Sequence, residues 1–115
     1  MKQIKNVYFL GQSVDNPDYF KSLNAVANDL LCPDLLEATG LDDLVFVGGN
    51  VELDSLVTAE GLGKLMVIGK NAVFTNLKTA KHLKSLKYIG GNITCNDNAV
   101  KFDILNIIKK NNLKK

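Results

Sequence analysis

A 21-residue spacing, kept three times over between Leu41 and Asn98, constrains this chain of 115 residues more than any other feature in it. The triplets Gly48-Gly49-Asn50, Gly69-Lys70-Asn71 and Gly90-Gly91-Asn92 mark the period. Further columns keep step with them: Leu41, Leu62 and Leu83; Leu44, Leu65 and Leu86; Val47, Ile68 and Ile89; Val51, Ala72 and Ile93; Leu53, Phe74 and Cys95. A fixed period of 20–30 residues is the mark of a solenoid, in which each repeat is one turn stacked on the last. The reading is therefore a mainly β fold with capping helices. It is a short β-solenoid of about three 21-residue coils plus one partial coil.

Each repeat divides into four parts. A Leu-x-x-Leu segment leads to a short strand (Val45 to Val47, Met66 to Ile68, Lys87 to Ile89), then the glycine–asparagine turn, then a second strand beginning at Val51, Ala72 or Ile93. Alternation in the second strand turns Val51 and Leu53 inward and Glu52 outward. In the first strand, Val47, Ile68 and Ile89 make the better core column, which sends Phe46, Val67 and Tyr88 outward; the opposite register is also open. Glycine at the turn is read as supplying positive φ. The Asn50, Asn71 and Asn92 column is read as a structural ladder, since a short amide both donates and accepts.

Residues 1–34 are expected to form an N-terminal strand and capping helix, 35–97 the repeats, and 98–115 a C-terminal capping helix. Residues 3–10 read as one strand. Asn16-Pro17-Asp18 reads as a helix start, and Phe20, Leu23, Val26, Ala27 and Leu30 fit a helical period from Pro17 to Leu31. Cys32, Leu35, Ala38 and Leu41 sit 21 residues before Leu53, Leu56, Ala59 and Leu62, as a degraded repeat would; Asn28-Asp29 is the nearest match to the missing triplet. At the other end, Val100, Ile104, Ile107 and Ile108 share one helical face over 98–111, and the chain frays from Leu113.

The unit Leu-x-x-Leu-x-x-Ile-Gly-Gly-Asn-Ile at Leu83 to Ile93 resembles leucine-rich-repeat-like units, above all receptor L-domain repeats and short bacterial or phage solenoids written with Val-Gly-Gly-x-Leu. The resemblance covers roughly residues 35–98 and implies a right-handed β-solenoid or leucine-rich-repeat-like fold and a protein-binding role. Asn falls one position later than in the ordinary leucine-rich repeat, so the coil geometry differs.

Net charge is +2, but it is split along the chain. Residues 1–63 hold three lysines and ten acids, a net −7; residues 64–115 hold eleven lysines and two acids, a net +9. In a solenoid, sequence order is axial order, so the molecule is expected to be a charge dipole that can drive homo-oligomerisation. The row Lys78, Lys81, Lys84 and Lys87 is the basic candidate surface, for an acidic protein or for nucleic acid. Phe46, Val67 and Tyr88 are the apolar candidate, an interface core if that column faces outward.

Nothing points to catalysis, a cofactor or a metal. His82 stands alone, read as a surface residue, and Ser13, Ser22, Ser55 and Ser85 lie in no nucleophile motif. Asp42-Asp43 reads as a solvated pair, and Gly61-Leu62-Gly63-Lys64 lacks the phosphate-loop frame. Cys32 and Cys95, three periods apart, are on the order of 14 Å apart in a stack and are read as free thiols. No apolar run is long enough for a transmembrane helix, and no cleavage site follows Met1-Lys2-Gln3-Ile4-Lys5, so the expectation is a cytoplasmic protein without a membrane partner. The expected function is a non-enzymatic protein-interaction module of inhibitor, immunity or adaptor type. A nucleic-acid-binding module and a self-associating structural protein are the alternatives.

Overall fold

The computed structural model describes residues 2–12, 20 and 22–113. Ten short strands and one helix are present among them: β1 (Lys2–Ile4), β2 (Val7–Tyr8), β3 (Leu23–Val26), β4 (Leu30–Leu31), β5 (Phe46–Val47), β6 (Val51–Glu52), β7 (Val67–Ile68), β8 (Ala72–Val73), β9 (Tyr88–Ile89), β10 (Ile93–Thr94) and α1 (Asn98–Leu113). The odd strands form one five-stranded sheet in the order β1-β3-β5-β7-β9, and the even strands a second in the order β10-β8-β6-β4-β2. All pairings are parallel. Ala25 pairs with Phe46, Phe46 with Val67, and Val67 with Tyr88, so each turn of this β-solenoid advances 21 residues. The stack makes about four turns, closed at one end by α1.

A third wall joins the two sheets, and among the described residues it contains no strand. Here every third residue points inward: Leu53, Leu56, Ala59, Leu62, Leu65 and then Ile68 are all fully buried. The backbone explains the period. The Leu62 N–H donates to the Ala59 carbonyl (2.9 Å), and that of Leu65 to the Leu62 carbonyl (3.2 Å). Hydrogen bonds from i to i−3 give about three residues per turn, which eclipses side chains three apart and puts them on one face. Cys32 to Val47 and Phe74 to Leu86 repeat the pattern one coil below and one above.

The N-terminal expectation fails from Leu23 onward. Leu23–Val26 and Leu30–Leu31 are strands β3 and β4, not a capping helix. Phe20, Leu23 and Val26 lie 21 residues before Leu41, Leu44 and Val47 and are buried as they are. Phe20 itself is helical, but Leu23 and Val26 keep the three-residue period of the coil, which over so few residues imitates a helical 3.6. The predicted helix start at Asn16-Pro17-Asp18 lies outside the described residues. The single strand expected over 3–10 is also divided, with β1 and β2 on different sheets and a corner at Lys5-Asn6. The solenoid therefore begins at β1 rather than at residue 35. This first coil is longer: Val7 pairs with Leu30, 23 residues on, and the register slips between Lys2 and Gln3.

The corner glycines have another cause than the one expected. Gly48, Gly69 and Gly90 do not take positive φ; of the described glycines only Gly61 does (φ 102°). A Cβ on Gly69 would instead overlap the Gly48 carbonyl oxygen, and one on Gly90 the Gly69 carbonyl oxygen. The coils stack so closely here that no side-chain atom fits between them. The asparagine ladder is as read. The Asn71 N–H donates to Asn50 Oδ1 (3.0 Å) and the Asn92 N–H to Asn71 Oδ1 (2.8 Å). Asp29 takes the place of the missing asparagine below, accepting from the Asn50 N–H (2.7 Å).

Helix α1 lies over the last coil. Asp97 caps it, its Oδ1 accepting from the Ala99 N–H (2.9 Å) and the Val100 N–H (3.4 Å). Val100 and Ile104 are buried, and Ile107 and Ile108 pack against the core. Near its end the side chain of Asn111 donates to the carbonyls of Lys84 (2.9 Å) and Leu86 (2.7 Å), and that of Asn112 to the Lys87 carbonyl (2.8 Å). The open edge of the third wall is thereby satisfied by side chains in place of another coil.

Candidate interaction surface

The register of the odd-strand sheet settles which of its residues face out. Val47 and Ile68 are fully buried and Ile89 partly so, while Phe46 is 41% exposed, Tyr88 54% exposed, and Val67 half-buried between them. Direct pairing places Phe46, Val67 and Tyr88 in one line up the outer face. Below Phe46 the line continues through Ala25 to Gln3, where those residues, with Asn24 and Val45, border a concavity of about 400 Å³.

Lys78, Lys81, Lys84 and Lys87 are all exposed. Each follows a buried residue of the third wall (Leu77, Ala80, Leu83, Leu86), so the three-residue turn presents all four on its outer side. Lys110 of α1 joins Lys81 and Lys84 around a hollow of about 280 Å³. The sequence reading did not include Lys110, because only the docking of the helix brings it there. At the top of the stack the two candidate surfaces meet: Lys87 and Tyr88 both line a groove of about 340 Å³ between the last coil and α1. From the helix, Lys101, Leu105 and Ile108 line its other wall.

The other singled-out residues are scattered. His82 is half-buried in the third wall. Asp43 forms an exposed ion pair with Lys64 (3.2 Å), where the acidic and basic halves adjoin, and Asp42 is exposed. Cys32 and Cys95 are free thiols; Cys32 is buried, and loss of water around it pushes its thiol up to about 12, against a smaller opposing effect of a backbone hydrogen bond from Phe9. Among the described residues no three His, Cys, Asp or Glu side chains are grouped to hold a metal ion, and no helix is long and apolar enough to cross a membrane.

The fold and this surface define a β-solenoid whose outer sheet carries an exposed apolar line ending in a basic-rimmed groove. The chain matches no protein-family profile, no curated protein and no solved structure.

Proposed function

We propose that this protein is a non-enzymatic interaction module that binds a partner protein through the outer face of its odd-strand sheet. The observation that carries the reading is the line Phe46, Val67 and Tyr88: two exposed aromatic rings and a valine, held in register on a rigid parallel sheet. Apolar side chains aligned on an exposed face are the material of an interface core, and aromatic residues are favoured there. The resemblance of Leu83 to Ile93 to leucine-rich-repeat-like units points the same way, toward an inhibitor, immunity or adaptor role. A cytoplasmic setting fits the two free thiols.

A second reading rests on the exposed row Lys78, Lys81, Lys84 and Lys87, extended by Lys110: binding of nucleic acid through phosphate contacts. One experiment separates the two. Tagged protein is used to capture partners from lysate of its native host, with and without nuclease, at about 50 and 500 mM salt. The first reading expects one protein to be retained under all four conditions and lost with the Phe46→Glu/Tyr88→Glu variant. Material retained only at low salt and without nuclease, and lost with Lys81→Glu/Lys84→Glu, refutes it in favour of nucleic acid.

A further inference from the structure

The groove at the top of the stack is a vacant place in a hydrogen-bond pattern that every lower coil fills. One coil down, the Gly90 N–H donates to the Ile68 carbonyl (2.9 Å), the Gly91 N–H to the Lys70 carbonyl (2.8 Å) and the Asn92 N–H to Asn71 Oδ1 (2.8 Å). In return the Ala72 N–H donates to the Asn92 carbonyl (2.9 Å). Moved up by 21 residues, the same set is the Ile89 carbonyl, the Gly91 carbonyl, Asn92 Oδ1 and the Ile93 N–H. Among the described residues none of these four has a hydrogen-bond partner. Helix α1 caps the neighbouring carbonyls of Lys84, Leu86 and Lys87 through Asn111 and Asn112, but among the described residues it makes no hydrogen bond to this corner, and a groove separates the two.

We propose that this corner accepts an extended segment of a partner protein as an added rung. The interaction-module reading underlies this, and the corner gives that partner its chemistry. Three features specify the segment. Its backbone supplies successive N–H groups to Ile89, Gly91 and Asn92 and a carbonyl to Ile93, as strand addition to a sheet edge requires. Its residue above Gly90 is glycine, as in this column above the longer first coil, where Ala27 stands: a Cβ on Gly48, Gly69 or Gly90 would overlap the carbonyl oxygen below it, and the same close stacking governs the next level. Its flanks are acidic and apolar, because Lys87 and Lys101 rim the groove, Tyr88, Leu105 and Ile108 line it, and among the described residues no carboxylate does.

The test is titration of the full-length, 15N-labelled chain with the synthetic peptide acetyl-Glu-Phe-Ile-Gly-Gly-Asn-Ile-Asp-amide. The expected result is saturable binding, with shifts at Asn92, Ile93 and Leu105 and slowed exchange of the Ile93 amide proton. Replacing the first peptide glycine by alanine, or both acids by lysine, is expected to weaken binding by roughly tenfold or more. Asn92→Ala, whose lost amide oxygen has no partner within the chain, should keep the fold and weaken the peptide. The proposal is overturned by no saturation up to about 1 mM, by equal binding of the alanine peptide, or by shifts confined to Phe46 and Val67. Its failure is distinct from that of the sheet-face reading. A captured partner lost with Phe46→Glu but indifferent to Asn92→Ala leaves the face and removes the corner. A captured partner retained by Phe46→Glu but lost with Asn92→Ala does the reverse.

Discussion

Single residues in this molecule are chosen by the coil above and the coil below rather than by their neighbours in the chain. The glycines show this best. Gly69 and Gly63 lie six residues apart, yet a Cβ on the first overlaps a backbone oxygen, whereas on the second its nearest neighbour is Lys84 Cε at 3.5 Å. Gly69→Ala should therefore cost about 3 kcal/mol or more, because backbone must move to make room. Gly63→Ala should be neutral or stabilise by up to about 1 kcal/mol, since it lowers the freedom of the unfolded chain at no steric cost. Urea denaturation of the two variants checks both, and a neutral Gly69→Ala would refute the close-stacking account. The glycine column was legible in the sequence as a position, but its cause was not. A turn glycine and a stacking glycine read alike until the next coil is in place. The asparagine column was legible in both respects, because the amide's ability to donate and accept is a property of the residue itself.

At the scale of elements, the repeat was readable wherever its marker triplet was present and misread where only the apolar columns survived. Phe20, Leu23, Val26 and Leu30 keep the inward spacing of the third wall and the strand after it, but the Gly-Gly-Asn marker is reduced to Asn28-Asp29. Without the marker, a period of three over ten residues passes for a helix. Helix α1 carried no such ambiguity, since its apolar positions spread over a true helical face and no repeat column runs through it. Its two faces are expected to differ sharply. Ile104, fully buried against the last coil, should cost about 3 kcal/mol when changed to alanine. Phe102, 64% exposed, should cost no more than about 0.5 kcal/mol. Comparable losses at both positions would mean that α1 sits on the stack by a different face. The candidate surface followed the same logic: the strand pattern favoured an outward side for Phe46, Val67 and Tyr88 but left the opposite register open until the buried column was in place, whereas Lys110 and Leu105 joined it only through tertiary docking.

At the scale of the whole molecule, the strand order turns the charge split of the sequence into an axial one. Each sheet runs through its five strands in chain order, so the lysine-rich half lies in the upper coils and α1, and the acids lie below. The single ion pair among the described residues, Lys64 with Asp43, sits where the halves meet and leaves most of both charges uncompensated. The longest extent of the molecule is 35 Å. At about 0.01 M ionic strength the screening length is about 30 Å, so one molecule's acidic end and another's basic end attract over nearly their full length; at about 0.15 M it falls to roughly 8 Å and only contacting charges count. Head-to-tail association should thus appear as a sedimentation coefficient rising with concentration at the lower ionic strength and constant at the higher. Lys81→Glu/Lys84→Glu should reduce the rise by weakening the basic end, and Phe46→Glu should not. Association that persists at about 0.15 M and is abolished by Phe46→Glu would instead place the self-contact on the apolar line, and the charge split would then serve only to orient encounters.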